Sequence, residues 1–258
     1  MDWGPTDVLT ASPDRWDNTS IWTGDIIKVK NGFLLYYTSR DGNLDDGKTQ
    51  HIGCAFSKKI DTDHWEPVPD FRVKPDGRYY TQRYVPGDVS IHSWRDPYLF
   101  RHKDNIYMLV TAKSVSRPVK HNGVAGLLRC CDGLLKEWEY LPPLANTGFF
   151  SEMDVNQVFK NPHGGYELIC STGPDYDSVP GTRGTGGLYA IHSENLLDFN
   201  GNSPRQLLSH ESGLYAFRII PELGGEIIGF DHRTGGIRRS GVKTGWKSVC
   251  RNFLRLNV

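Results

Sequence analysis

Four β-hairpins recur along the chain, and this repeat restricts the possible folds more than any other feature of the sequence. Each hairpin consists of an apolar strand, a polar turn containing Gly, Asn or Asp, and a second apolar strand; the segments are 25–39, 97–112, 156–172 and 216–232. This pattern is typical of antiparallel strands joined by short turns. No long segment has the three- and four-residue apolar spacing of an amphipathic helix. The sequence therefore predicts an all-β protein.

The segments that follow the first three hairpins are also alike. Each contains a third strand, a polar stretch and an aromatic residue that begins a fourth strand: Trp65, Trp138 and Phe199. Repeated four-stranded antiparallel units predict a β-propeller, in which each blade packs face to face on the next. We expect a single domain over residues 1–258 with blades at approximately 20–70, 94–145, 150–201 and 213–258. A β-sandwich of the same strands is the alternative, and the repeat disfavours it.

Composition narrows the possible partners. Because 30 Lys and Arg residues balance 30 Asp and Glu residues, the chain lacks the basic surplus that nucleic-acid binding requires. No stretch approaches the roughly 18 apolar residues of a membrane span. The first residues show no secretory signal, and the five cysteines match neither a zinc site nor a disulfide framework. We therefore expect a cytoplasmic protein without a metal or cofactor. Its aromatic content of 12% suits sugar rings as well as a core.

Carboxylates cluster where the hairpins begin. The hairpins start with "WTGDII", "WRDPYLF", "FSEMDVNQVF" and "GLYAFRII", which carry Asp25, Asp96, and the pair Glu152 and Asp154. In a propeller the innermost strand of each blade lines the central channel, and the first residues of that strand lie at the channel mouth. We therefore expect these carboxylates to converge on one polar pocket. The Gly- and Pro-rich segment 173–187 is expected to be a long loop at the rim of that pocket.

Two or three carboxylates in a pocket with aromatic walls suit cleavage of a glycosidic bond. One carboxyl group must hold a proton for the leaving oxygen, and another must be ionised to attack the anomeric carbon or to activate water. Crowding of like charges raises one pKa relative to the others, which separates the acid and base roles.

The ordered motifs resemble those of the five-bladed furanosidases. "WTGDIIKVKNGFLLYYTS", then "WRDPYLF" and then "FSEMDVNQVF", are similar to blade motifs of glycoside hydrolase families 32, 68 and 43, which include invertases, levanases and arabinanases. "IGCAFSKKIDTDHWEPV" resembles the "IGxAxSxDLxHWE" stretches of those enzymes. The resemblance covers most of the chain from about Arg15 onward. It implies hydrolysis of furanosides, with β-fructofuranosides as the substrate class and retention of configuration.

The resemblance also implies roles for individual residues. Asp96 would stabilise the transition state with Arg95 beside it, and Glu152 would be the general acid and base. Trp22 would form part of the sugar-binding wall. Further candidates for substrate contacts lie at or near the starts of the predicted inner strands: His92, Trp94, Asp154, Asn156 and Tyr215. For these residues a turn, core or solvent-exposed position is the competing interpretation.

The chain departs from the family pattern in two respects, and these leave three hypotheses open. Four blades are recognisable instead of five, so the first blade and its nucleophile are not visible; in addition, Asp25 stands where family 32 usually has a small residue. The first hypothesis is a retaining fructofuranosidase whose third carboxylate is Asp25 or lies outside this chain. The second is an inverting arabinofuranosidase or xylosidase of the family-43 kind with Asp25 as the base. The third is a carbohydrate-binding propeller without catalysis.

An incomplete propeller would also expose the faces of its end blades. Such faces favour a homo-oligomer or a partner chain.

Overall fold

The computed structural model describes residues 8–88, 91–132, 135–182 and 184–249, which form four antiparallel blades around a common axis. The first blade contains β1 (Ile21–Val29), β2 (Gly32–Arg40), β3 (Gln50–Ser57) and β4 (Glu66–Pro67), and the second contains β5 (Trp94–His102), β6 (Asn105–Lys113), β7 (Gly123–Cys130) and β8 (Trp138–Ala145). The third contains β9 (Asp154–Lys160), β10 (Tyr166–Thr172), β11 (Gly187–Ser193) and β12 (Arg205–Ser209), and the fourth contains β13 (Leu214–Ile220), β14 (Glu226–Asp231) and β15 (Ile237–Lys243). The prediction of an all-β propeller with four recognisable blades is confirmed.

The last described strand joins the third blade instead of completing the fourth. This strand, β16 (Lys247–Ser248), pairs with the end of β9, opposite Lys160 and Phe159. The third sheet therefore has five strands, whereas the fourth has three within the described part of the chain. The end of the predicted fourth blade, residues 250–258, lies outside the described residues.

Among the described residues, helical structure is confined to five single 3₁₀ turns in the connections. They lie at Asp45–Gly47, Val119–His121, Pro174–Tyr176, His210–Ser212 and Pro221–Leu223.

Apolar side chains pack between neighbouring blades, because successive residues of a strand point to opposite faces of its sheet. On β6, Met108 and Val110 pack towards the first blade, whereas Leu109 packs towards the third. The central strands of the second blade, β6 and β7, are largely buried on both faces for this reason, and their sequences are mostly apolar. A third cluster, which includes Phe217 and Ile219 of β13, joins the third and fourth blades.

The innermost strands β1, β5, β9 and β13 are all irregular near their first residues. Pairing shifts between Arg95 and Tyr98 in β5, and comparable shifts occur at the starts of the other three. At these bulges Asp96, Val155 and Ala216 have positive φ angles of 57°, 55° and 50°. A β-bulge places consecutive side chains in directions that a regular strand does not allow. Such a backbone is uncommon for a non-glycine residue and strained for β-branched Val155.

Hydroxyl groups of the preceding blade satisfy the backbone N–H groups that the bulges release. Asp96 N donates to Thr38 Oγ1 over 2.9 Å, and Val155 N donates to Thr111 Oγ1 over 3.2 Å. Phe217 N donates to Ser171 Oγ over 3.1 Å. The same bond thus recurs at each of the three interfaces, and it fixes the start of every inner strand from β5 onward against its neighbour.

Candidate active site

A cavity of about 330 Å³ opens where the four inner strands begin. Two consecutive residues from the bulge of each strand line it, and Ile91, Glu152 and Tyr176 complete the wall. The bulge pairs are Trp22 and Thr23, Arg95 and Asp96, Asp154 and Val155, and Tyr215 and Ala216. The bulges explain why both members of each pair reach the cavity, since a regular strand would direct one of them into the packing between blades.

Arg95 joins the carboxylates of this cavity. Its Nη2 lies 2.8 Å from Glu152 Oε2 and 2.6 Å from Asp154 Oδ1, and its Nε lies 3.6 Å from Asp96 Oδ2. Its other terminal nitrogen, Nη1, donates to Ser93 Oγ and Gln50 Oε1. Three buried carboxylates would repel one another strongly, so the guanidinium is what allows them to lie together.

Glu152 is held in its ionised form by two cations. Its side chain is 1% exposed, and Oε1 lies 2.6 Å from Nζ of Lys113, which is fully buried. The hydroxyl of Ser93 lies within 2.9 Å of both carboxylate oxygens. Burial alone would raise the pKa of Glu152, but the charges of Arg95 and Lys113 outweigh it and lower the pKa below its ordinary value.

The pKa of Asp154 shifts in the opposite direction. Burial, reinforced by the nearby charges of Glu152 and Asp96, raises the pKa of Asp154 to about 6, although Arg95 opposes the shift. The hydroxyl of Tyr215 donates to its Oδ2, and burial followed by the charge of Asp154 raises the pKa of that tyrosine well above its usual value. Two carboxyl groups that contact one guanidinium nitrogen therefore favour different protonation states.

Asp96 is fixed in one orientation. Thr23 donates to Oδ1 and Thr111 Oγ1 donates to Oδ2 over 2.9 Å, so both oxygens are positioned from neighbouring strands. The carboxylate is 4% exposed and lines the cavity.

Asp25 lies two residues further along β1 than Thr23 and does not line the cavity. Its Oδ2 accepts from Leu99 N over 2.7 Å, and its Oδ1 accepts from Ile26 N over 2.9 Å. Burial raises the pKa of Asp25. Gln157 occupies the corresponding position of β9, and its Oε1 accepts from Ile219 N over 3.1 Å. Both side chains therefore connect one inner strand to the backbone of the next blade.

Four predicted substrate contacts, Trp22, Arg95, Asp154 and Tyr215, line the cavity. Trp22 is 37% exposed, its Nε1 donates to Ser20 Oγ, and the guanidinium of Arg40 lies 5.2 Å from its ring centre. Its ring is therefore an exposed aromatic surface at the rim.

Three other predicted contacts are buried away from the cavity. Trp94 packs against Tyr80 in the core and donates its indole N–H to Val73 O. His92 is fully buried, with Nε2 2.7 Å from Thr81 Oγ1, and burial lowers its pKa. Asn156 donates from Nδ2 to Met153 O, which shapes the backbone after Glu152. None of these three side chains lines the cavity.

Sequence reasoning missed the polar residues that hold the carboxylates and Arg95 in place. Lys113 is the clearest example, and the others are Ser93, Thr23, Thr111 and Gln50. A signal was available for Lys113, because a lysine ends the apolar run "NIYMLVTAK" of β6. A charged residue at the end of a buried strand requires a partner nearby. Here the partners are Glu152 and Asp88, the latter 2.9 Å away.

No group of three His, Cys, Asp or Glu residues in the described ranges is arranged to hold a metal ion. Those ranges also contain no helix long and apolar enough to cross a membrane.

One known protein family matches most of this chain. The model of the N-terminal domain of glycosyl hydrolases family 32 matches residues 1–171, which include Asp96, Glu152 and Asp154. The chain belongs to glycosyl hydrolase family 32. The expected membership of the furanosidase propeller superfamily is thereby confirmed. No curated protein matches this family 32 chain.

Solved structures share the fold at low sequence identity. A Microbacterium saccharophilum K-1 β-fructofuranosidase mutant has a TM-score of 0.63 and 17% identity over 90% of this chain and 57% of its own. Inulosucrase from Halalkalicoccus jeotgali bound to kestose has a TM-score of 0.62 and 20% identity over 82% of this chain and 58% of its own. A B. megaterium levansucrase mutant has a TM-score of 0.64 and 16% identity over 90% of this chain and 66% of its own. The family 32 chain thus spans between half and two thirds of these structures.

Proposed function

We propose that this chain is a glycoside hydrolase that acts on β-fructofuranosides with retention of configuration. One observation carries the proposal: Asp96, Glu152 and Asp154, from two different blades and the segment between them, meet around Arg95 in one cavity. Membership of family 32 and the fold shared with a β-fructofuranosidase support the substrate class.

Asp96 and Glu152 take different parts in the proposed reaction. Asp96, oriented by two threonines, accepts hydrogen bonds from sugar hydroxyls and stabilises the oxocarbenium-like transition state. Glu152 protonates the leaving oxygen and later removes a proton from water. Because Arg95 and Lys113 keep Glu152 ionised at rest, its proton has to be supplied. Asp154 contacts the same guanidinium nitrogen and has its pKa raised to about 6, so of these two carboxyl groups it is the one that holds a proton more readily.

Asp25 is the candidate within the chain for the group that attacks the anomeric carbon, and its surroundings do not favour this role. Asp25 gives both oxygens to backbone N–H groups and does not line the cavity. We therefore place the attacking carboxylate outside the residues that the structure describes. The same observation speaks against the inverting mechanism with Asp25 as the base, because that mechanism requires Asp25 to bind a water molecule beside the sugar.

The test is hydrolysis of aryl β-fructofuranosides and fructans by the wild type and by Glu152→Gln. General acid–base catalysis contributes about 10²–10⁴-fold to a rate, so the variant should lose at least about 100-fold in kcat. Glu139→Gln is the matched control, because Glu139 is an exposed carboxylate of β8 that is paired with Arg129. Equal rates for the wild type and Glu152→Gln would contradict the role of Glu152.

A second candidate function is sugar binding without turnover. The two cations on Glu152 and the occupied oxygens of Asp25 favour it, since both features restrain groups that catalysis would need free. In that case neither the wild type nor Glu152→Gln would hydrolyse any furanoside, although both would still bind one.

Two further parts of the proposal concern the cellular location of the protein and its partners. We propose a cytoplasmic location, which the free thiols of Cys54, Cys130, Cys131 and Cys170 support. We also propose that the protein associates with copies of itself rather than with nucleic acid, in keeping with its net charge of zero.

A further inference from the structure

A separate cavity of about 350 Å³ lies beside the start of β3, and none of its lining residues lines the candidate active site. Its wall contains two cationic side chains, Lys74 and Arg83, together with the buried imidazole of His51. We call it the β3 cavity. Its volume is within the range that accommodates a small molecule.

The two cations of the β3 cavity are not engaged by other side chains. Lys74 and Arg83 are exposed residues of the connection between β4 and β5, and within the described ranges neither side chain forms an ion pair or a hydrogen bond. Lys74 also lines a neighbouring cavity of about 590 Å³, whose wall includes Arg72. The region therefore offers two positive charges that a ligand can contact.

One acidic side chain, Asp45, also lines the β3 cavity, but its carboxylate is occupied by its own turn. Oδ1 accepts from Lys48 N over 2.9 Å and from Thr49 N over 3.2 Å, and Oδ2 accepts from Thr49 Oγ1 over 2.5 Å. These three donors satisfy the carboxylate without either of the two cations.

Two buried nitrogen atoms of this region have no hydrogen-bond partner among the described residues: Nδ1 of His51 and Nε of Arg72. His51 is 3% exposed, and burial followed by the charges of Arg72 and Lys74 lowers its pKa to about 3. Asp45 and Asp41 oppose this shift, but they act less strongly than the two cations. The charges around His51 therefore produce a positive potential, which attracts an anion.

The chemistry of this wall matches a phosphate group. A phosphate ester carries a charge of about −1.5 to −2 at neutral pH and three acceptor oxygens, and arginine and lysine both bind such groups with charge-assisted hydrogen bonds. The cavity also has an apolar part, formed by Leu44 and Pro75, against which the carbon atoms of a small ester can pack.

We propose that the β3 cavity binds a small molecule through its phosphate group, which Lys74, Arg83 and His51 contact. This site goes beyond the proposed function, because it uses no residue of the candidate active site and does not depend on hydrolysis.

Calorimetric titration of the wild type with glucose 6-phosphate, glucose and inorganic phosphate tests this site. Glucose 6-phosphate should bind at least about tenfold more tightly than glucose, because only the ester carries the charge. Lys74→Ala and Arg83→Ala should each weaken its binding at least about fivefold, since each removes a charged donor at an exposed position without disturbing the core. Lys58→Ala is the matched control, because Lys58 is an exposed lysine that lines neither this cavity nor its neighbour.

Nuclear magnetic resonance of the histidine rings provides a second measurement. The ring signals of His51, assigned by their loss in His51→Asn, should shift when glucose 6-phosphate is added and stay unchanged when glucose is added. Tighter binding of glucose 6-phosphate than of inorganic phosphate would support an ester as the ligand, whereas equal affinities would support the free ion.

The proposal is overturned if glucose and glucose 6-phosphate bind with equal affinity, or if Lys74→Ala and Arg83→Ala bind the ester as tightly as the wild type does. The two proposals can fail separately. Absence of furanoside hydrolysis would leave these affinities unchanged, and absence of phosphate binding would leave the rates of hydrolysis unchanged.

Discussion

At the residue scale, the site depends on which carboxyl group carries a proton. Glu152 and Asp154 contact the same nitrogen of Arg95, but only Glu152 also contacts the ammonium group of Lys113. The second cation explains why the pKa of Glu152 falls while that of Asp154 rises to about 6. Position in the sequence could not distinguish the two, because the motif "SEMD" contains both carboxyl groups and no cation.

Replacement of Asp154 by Asn should change how stability depends on pH. The pKa of Asp154 is about 6 in the folded protein and near 3.8 otherwise, so the folded state binds the extra proton. Its contribution to stability is complete below pH 4 and is lost as the pH rises through 6. Asp154→Asn cannot ionise, so its free energy of unfolding relative to the wild type should be higher at pH 8 than at pH 4, by about 1–3 kcal/mol. Urea denaturation at the two pH values measures the free energy of unfolding of both proteins. If the variant differs from the wild type by the same amount at pH 4 and pH 8, the raised pKa of Asp154 is contradicted.

At the element scale, the inner strands share one structural feature. A bulge near the start of each strand directs two neighbouring side chains into the cavity, and from β5 onward a hydroxyl of the preceding blade accepts the released N–H. The hairpins that carry these strands could be predicted from their apolar and turn residues. The bulges could not, because Asp96, Val155 and Ala216 share no residue type that requires a positive φ. The burial of Trp94, the residue directly before the bulge pair of β5, could not be predicted either, and His92 lies outside that strand, two residues before it.

Loss of one of these hydroxyls should destabilise the fold. In Ser171→Ala the buried N–H of Phe217 has no acceptor, which should lower the free energy of unfolding by about 1–3 kcal/mol. The neighbouring Thr172→Val is the matched control, because Thr172 is equally buried and its hydroxyl has no hydrogen-bond partner among the described residues. Chemical denaturation measures the free energy of unfolding of both variants. An equal decrease in the two would show that the hydroxyl of Ser171 does not stabilise the interface.

At the scale of the whole molecule, apolar clusters join the first blade to the second, the second to the third, and the third to the fourth. Within the described ranges no such cluster joins the fourth blade to the first. The outward face of the fourth blade instead exposes Phe230 by 45% and Ile237 by 72%, two residues that pair across β14 and β15. The sequence repeat predicted four blades and an exposed end face; it could not predict that β16 would leave the fourth blade.

The exposed face should mediate contact between copies of the chain. Sedimentation analysis of the wild type should show an oligomer, and the double variant Phe230→Ser and Ile237→Ser should shift it towards the monomer, because large exposed apolar patches favour association. Val115→Ser is a suitable control, since Val115 is 47% exposed and lies on the second blade's connection. A monomeric wild type would refute this expectation.

The pairing of β16 with β9 also determines how the protein unfolds. The chain leaves the third blade after β12, forms the fourth, and returns to the innermost strand of the third. The fourth blade is thus fastened to its neighbour at both of its ends, so it cannot fray away while that neighbour stays intact. The two blades should open as one cooperative unit, and the mouth of the cavity that they share should resist local unfolding accordingly.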